Sequence, residues 1–443
     1  MQVTIHNQAG AQPALQGGRT AMFPSHRRLL FALVTVLFFL WGMSNNLTDI
    51  LVQQFKKSFE LTQLGAQLVQ TANFLGYFCM AIPAALMMRR WGYKTGMIAG
   101  MATFGTGMVL FWPAAMSGVY LPFLFALFMV GCGASMLETA CNPFMAQFGP
   151  PETSERRLNF VQSFNPPGTI VGVIVGAHFI FSGIELSQPQ IAAMRSAGTY
   201  AAYLHSERMR VVPTYVLLGL VVLAFALLLS RMEFPAIASE NEPADRGSFR
   251  ALLHYPHLWL AVAANFCNVG AQVATWSALI PYMKQFTGVS ERVAAGYLTA
   301  TLIAMAAGRF VGTQLMRFIP ASRLMGIYAV VNIGLLAFAI THPGLHGAYA
   351  IVLSSFFLSI MFPTTFALGV KGLGSNTKLA GSFLVMAVAG GAVFPPVLGW
   401  IARQTGSVAQ GYIVPLMGYA AVALYGFTAH RIAARDARAH PAL

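Results

Sequence analysis

Charge is what this chain has least of. Only 9% of its 443 residues are Asp, Glu, Lys or Arg, against roughly 25% in soluble domains. That scarcity excludes an ordinary water-soluble globule. Cysteine is almost as sparse: Cys79, Cys132, Cys141 and Cys267 all fall inside long apolar runs, so no disulfide framework is expected in an oxidising loop. No Cys-x-x-Cys pair supplies a metal spacing. Gly-x-Ser-x-Gly, His-Glu-x-x-His and paired intramembrane Asp motifs are absent, which argues against an enzyme acting within the membrane. No cleavable leader is read at the N-terminus, because residues 1–24 are polar and the first apolar run is already a full span.

Apolar runs are what the chain has in abundance. Hydrophobic residues make up 56% of it, and a membrane-crossing helix needs about 20 in a row. Twelve such spans are expected, near 29–51, 64–88, 95–115, 119–148, 158–182, 211–232, 257–283, 293–316, 322–341, 346–370, 378–402 and 409–430. The expected fold is an all-α polytopic membrane protein. Its parts are a tail at 1–28, a six-helix bundle at 29–232, a central loop at 233–256, a second six-helix bundle at 257–430 and a tail at 431–443.

The net charge of +14 invites a nucleic-acid reading, but the placement of charge argues against one. Eighteen Lys and Arg fall on the side of the termini, eight on the other side, and Arg309 inside a span. That asymmetry is the positive-inside pattern, and it puts both termini in the cytoplasm. The partner it implies is a lipid bilayer. The chain is expected to be a monomer.

The few polar residues inside spans carry the chemistry. Glu138 lies in Met136-Leu137-Glu138-Thr139-Ala140-Cys141-Asn142-Pro143-Phe144, preceded by an uncharged run from Leu121 to Ser135. An ionised, unpaired carboxylate there costs several kcal/mol, so intramembrane acids are read as functional first; the alternative is a neutral, hydrogen-bonded packing residue. Asp49 lies 21 residues after Arg28, roughly 31 Å along a helix. It is therefore near the far mouth, either meeting external protons or simply wetted by water. Asn45 and Asn46 precede it.

Span five carries Gln162, Asn165, Pro166 and Pro167. Two adjacent prolines remove two backbone donors, so a bend or unwound turn is expected around Asn165-Pro166-Pro167. On a continuous helix Gln162 and Asn165 share a face, and both they and Glu138 lie near mid-membrane. In span seven Asn265, Asn268, Gln272 and Trp276 recur at helical spacing. Amides suit sugar hydroxyls and a Trp face suits C–H groups. The alternative is interhelical glue, worth only about 0.6–2 kcal/mol per contact. Arg309 is read either as a tuner of a carboxylate or gate, or as a snorkelling or structural cation. His178 is read as a core histidine before a relay.

Weak internal symmetry supports two related halves. Pro143-Phe-Met-Ala-Gln-Phe-Gly149 aligns with Pro363-Thr-Thr-Phe-Ala-Leu-Gly369, and the spans that follow open with Ser163-Phe164 and Ser382-Phe383. Under that register Glu138 meets Leu358, so the acid belongs to one half only.

Several blocks resemble the fucose permease family of the major facilitator superfamily. They are Leu37-Phe38-Phe39-Leu40-Trp41, Asn45-Asn46-Leu47 with Asp49-Ile50-Leu51, Leu137-Glu138-Thr139-Ala140 with Asn142-Pro143-Phe144, Gln162 with Phe164-Asn165, and Gly308-Arg309-Phe310. The resemblance implies two pseudo-symmetric six-helix bundles, alternating access and proton-coupled uptake of a neutral hexose across a bacterial inner membrane. It places the coupling acids at Glu138 and Asp49. It places sugar contacts at Gln162, Asn165 and Gln272, with Asn142, Asn45, Asn46, Asn268 and Trp276 as further candidates. L-fucose is favoured by the Asn45–Phe55 block, and galactose, glucose or a non-sugar substrate on the same scaffold are the alternatives. No cofactor is expected, the proton being the coupling ion. Two positions depart from the pattern: Arg89 stands near the usual acid between spans two and three, and Pro167 is a second proline after Phe-Asn.

Overall fold

The computed structural model describes residues 28–61, 63–180, 186–234, 248–289 and 291–439. Among them every regular element is helical. The first half comprises α1 (Arg28–Ser58), α2 (Gln63–Val109), α3 (Phe111–Ser117), α4 (Tyr120–Gln147), α5 (Ser154–Gln162), α6 (Asn165–Val175), α7 (Gln188–Ser196), α8 (Tyr200–Met209) and α9 (Val211–Ser230). The second comprises α10 (Phe249–Leu252), α11 (Pro256–Ser277), α12 (Leu279–Thr287), α13 (Glu291–Leu315), α14 (Ala321–Thr341), α15 (Leu345–Leu358), α16 (Met361–Val370), α17 (Thr377–Met386), α18 (Gly390–Thr405), α19 (Val408–Gly411) and α20 (Ile413–Ala439). The last helix therefore runs past the expected span end at 430.

Among the described residues, eight helical stretches are long and apolar enough to cross a membrane. One of them, Thr71–Ser117, holds two crossings, folded on each other at Gly92, where φ is 79°. Only glycine takes that backbone conformation without strain. With α1, the α5–α6 pair and α13, the described residues make twelve crossings. The hairpin turn at Gly92 carries Arg89, Arg90 and Lys94, and this end of the molecule is called the basic end below.

The two halves pack alike. In the first, α1 lies against α6 and α2 against α4; in the second, α11 lies against α18 and α13 against α15. Each seam relies on glycine. A Cβ on Gly42 would lie 2.2 Å from the Asn165 carbonyl oxygen, and one on Gly168 would lie 2.1 Å from that of Phe39. The counterparts are Gly390, 2.0 Å from the Phe266 oxygen, and Gly308, 2.1 Å from the Phe356 oxygen. With no hydrophobic drive between helices in lipid, such backbone-to-backbone approach is what holds them.

At the centre of the first bundle is α4. From Val130 to Ala146 every residue is buried, so over this stretch the helix presents no face to lipid. The bundles meet where α2, α4, α5 and α6 pack against α13, α16 and α17.

Candidate functional site

Glu138 sits on the enclosed stretch of α4 and is 3% exposed. Among the described residues its carboxyl has no hydrogen bond and no ion pair. Four residues on, and so on the same helical face, is Asn142. Its Oδ1 accepts a 3.0 Å hydrogen bond from Gln162 Nε2, at the end of α5. Asn142 is fully enclosed, and its Nδ2 meets no acceptor among the described residues. It therefore lies behind Gln162 and orients it. One turn above Glu138, Ser135 Oγ donates to the Tyr77 carbonyl at 2.9 Å, and the Tyr77 hydroxyl accepts from Trp41 Nε1 at 2.9 Å. Tyr77 was not singled out from sequence, where it is one aromatic among many in an apolar run.

The helix break of span five falls at Ser163-Phe164, just before the two prolines and not on them. Pro166 and Pro167 occupy the first turn of α6, where a missing N–H is tolerated. The carbonyls they leave unbonded are four residues upstream. The interruption also separates the two amides that a continuous helix puts on one face. Gln162 turns to α4, while Asn165 Nδ2 donates to the Phe38 carbonyl of α1 at 3.3 Å. Thr169 Oγ1 donates to the Gly42 carbonyl at 3.2 Å, completing the α1–α6 seam. Asn45, Asn46 and Asp49 are on α1, but their side chains lie outside the described residues.

On α11, Asn265 Nδ2 donates to the Leu384 carbonyl at 2.9 Å, so this amide ties α11 to α17. Asn268 is fully buried, and neither amide atom has a hydrogen-bond partner among the described residues. Gln272 is half-buried. Trp276, also half-buried, donates from Nε1 to Ser355 Oγ of α15 at 3.0 Å. The stripe thus runs from a sealed end at Asn265 to a more open end at Trp276. His178 is exposed, its Nδ1 3.0 Å from the Ile174 carbonyl one turn back.

Arg309 is buried on α13 and contacts no carboxylate among the described residues. Its Nε donates to the Ser359 carbonyl at 2.7 Å and its Nη1 to the Gln162 carbonyl at 2.8 Å. Three further contacts join the bundles toward the basic end. Lys371 Nζ pairs with Glu155 Oε1 at 2.7 Å, Asn159 Nδ2 donates to Thr364 Oγ1 at 3.0 Å, and Lys378 Nζ stands 4.9 Å over the Tyr93 ring. Tyr93 follows the Gly92 turn, near the place where the family's usual acid is missing. The bundles are thus held shut at the basic end.

Two six-helix bundles meeting over an enclosed acid and amides define a secondary transporter. The Major Facilitator Superfamily pattern matches residues 30–395, and the chain belongs to that family. It is 38% identical over 401 residues to the L-fucose-proton symporter of Escherichia coli K12, spanning 89% of this chain and 92% of the relative. It is 34% identical over 408 residues to a glucose/galactose transporter of Brucella abortus, spanning 91% and 95%. A crystal structure of FucP in the outward conformation superposes with a TM-score of 0.85 at 38% identity, covering 90% of this chain and 98% of that one. The proton:xylose symporter XylE shares the fold, with a TM-score of 0.64 at 13% identity, covering 90% and 94%.

Proposed function

We propose that this protein imports a neutral hexose together with a proton, and that L-fucose is the sugar. The observation that carries the reading is the Glu138 carboxyl, sealed on the enclosed stretch of α4, without a partner among the described residues, and on the same face as Asn142, which holds Gln162. An ionised acid in such a place is costly to enclose, and protonation removes most of that cost. Loading a proton is therefore what lets the site pass through a closed state. A neutral carboxyl also donates a hydrogen bond, so the same proton favours a sugar hydroxyl beside it.

In this reading Gln162 and Asn165 supply directional contacts from the first bundle, and Gln272 and Trp276 from the second. Asn142 keeps Gln162 in place. Asn268 is a further polar contact from the second bundle, and Asn45 and Asn46 are further candidates on the sequence alone. Asp49, nearer the mouth, passes protons to and from Glu138. The basic end is the cytoplasmic end, by the charge asymmetry of the loops. The bundles closed at that end then make this an outward-facing state in a bacterial inner membrane. The relatives named as fucose-proton symporter and as glucose/galactose transporter support L-fucose first and the two other hexoses second.

The test is proton movement with sugar. Added L-fucose should alkalinise the medium around energy-depleted vesicles carrying the protein, and galactose or glucose should do so less. No pH change with any monosaccharide would refute the proposal.

A further inference from the structure

Arg309 holds two carbonyls that have lost their helical partners to proline. In an α-helix the carbonyl of residue i accepts from the N–H of residue i+4. For Gln162 that residue is Pro166, and for Ser359 it is Pro363; neither has an N–H. These are the two oxygens Arg309 reaches, at 2.8 and 2.7 Å. One belongs to the first bundle, where α5 stops. The other belongs to the second, where α15 stops before α16.

A buried guanidinium without a counter-ion needs hydrogen-bond acceptors, and buried carbonyls without donors need hydrogen-bond partners. Each solves the problem of the other; the contact with Ser359 lies within the second bundle, and the contact with Gln162 lasts only while the bundles are together. Glycine makes the reach possible: Gly308, the preceding residue, lets α13 lie directly on the Phe356 backbone of α15. Phe164 packs edge-on to Phe310 beside the contact, with ring centres 6.1 Å apart. The same face of α5 continues toward the basic end at helical spacing, with Asn159 on Thr364 and Glu155 on Lys371.

We propose that Arg309 is a latch between the bundles and a positioning residue for Gln162. Its fork closes the basic end and fixes the backbone that carries the Gln162 amide. Opening of the basic end requires Arg309 to leave the Gln162 carbonyl, which water then reaches. The role for Gln162 rests on the sugar-binding reading above; the latch itself does not, and it is tested without sugar.

The experiment measures distances between spin labels in protein freed of its natural cysteines. One pair, Trp91→Cys with Phe318→Cys, reports the basic end. A second, Trp112→Cys with Leu345→Cys, reports the opposite end. All four sites are exposed. The bond to the Gln162 carbonyl is the charge-assisted hydrogen bond that crosses between the bundles, so Arg309→Gln should raise the ratio of basic-end-open to basic-end-closed molecules by about tenfold or more. Arg309→Lys should follow it, because a single ammonium cannot span both carbonyls as the fork does. Pro166→Ala should shift the ratio in the same direction by less, since residue 166 then offers the Gln162 carbonyl an N–H of its own. An unchanged ratio in Arg309→Gln, or wild-type behaviour of Arg309→Lys, overturns the latch. If Arg309→Gln fails to fold, Pro166→Ala decides, and an unchanged ratio there overturns it as well. Should the latch hold while L-fucose affinity is unaltered in Arg309→Lys, the positioning role is refuted and the latch stands.

Discussion

Placing a single methyl group on Gly42 should test whether the α1–α6 seam sets the geometry of the binding face. In Gly42→Ala the new Cβ would lie 2.2 Å from the Asn165 carbonyl oxygen, whereas a carbon–oxygen contact settles at about 3.3 Å or more. The obstacle is backbone on both sides, so no side-chain rotation relieves it. The helices must separate by roughly 1 Å, the difference between that contact distance and the Cβ position. Two hydrogen bonds cross this seam, Asn165 to the Phe38 carbonyl at 3.3 Å and Thr169 to the Gly42 carbonyl at 3.2 Å. Both would stretch beyond hydrogen-bonding range. The overpacking costs about 1–3 kcal/mol, and each lost hydrogen bond adds about 1 kcal/mol. Asn165 also leaves its register with the rest of the site, which should weaken sugar binding roughly 5–10-fold if one sugar contact is lost. The assay is a thermal-stability and L-fucose titration in detergent, with Gly334→Ala and Gly399→Ala as controls. A Cβ at either control position meets nothing within 4 Å, and both sit in helix interiors, so those variants should be neutral or gain about 0.5–1 kcal/mol. Wild-type stability and affinity in Gly42→Ala would refute the reasoning.

The amide pair and the contacts between bundles yield further expectations. Asn142→Ala should lower sugar affinity less than Gln162→Ala, because Asn142 lies behind Gln162 and acts through it; an equal or larger loss in Asn142→Ala, measured by calorimetric titration, would show that Asn142 is the direct ligand. Thr364→Val removes one of the two acceptors of the buried Asn159 amide, leaving the Glu155 carbonyl, and should favour opening of the basic end several-fold, as an unpaired buried N–H costs about 1–3 kcal/mol. Glu155→Gln breaks an ion pair whose lysine is 44% exposed, so its effect on the same equilibrium should stay below about 1 kcal/mol and fade with added salt. Cysteine accessibility at the two ends measures both shifts.

Much of the fold was readable from composition and spacing. Spans announce themselves by length and by the absence of charge, and Glu138 stood out because an acid in such a run needs a reason. The break in span five was also foreseeable, although one step off: a proline disturbs the turn before it, so the interruption falls at Ser163-Phe164. What spacing could not encode is contact between distant segments. Asn159 and Thr364 are 205 residues apart, and Glu155 and Lys371 are 216 apart; each is unremarkable within its own segment. Arg309 was visible as a buried cation, but its partners are backbone oxygens, which every residue has. Only the prolines at 166 and 363 mark which oxygens are free, and that meaning appears once the helices are set side by side. Asn142 was legible as a polar residue near the acid, while its place behind Gln162 depends on the angle at which α5 meets α4.

The central claim is that Glu138 carries the coupled proton. Glu138→Gln keeps the shape and a hydrogen-bond donor and removes the titration. In proteoliposomes this variant should still exchange internal for external L-fucose when the pH is equal on both sides, since exchange needs only the conformational cycle with a neutral site. It should fail to accumulate L-fucose when a pH difference is imposed, and its sugar affinity should no longer rise with acidity, because proton and sugar binding are reciprocally linked. Accumulation of L-fucose against its gradient by Glu138→Gln under a pH difference would contradict the account.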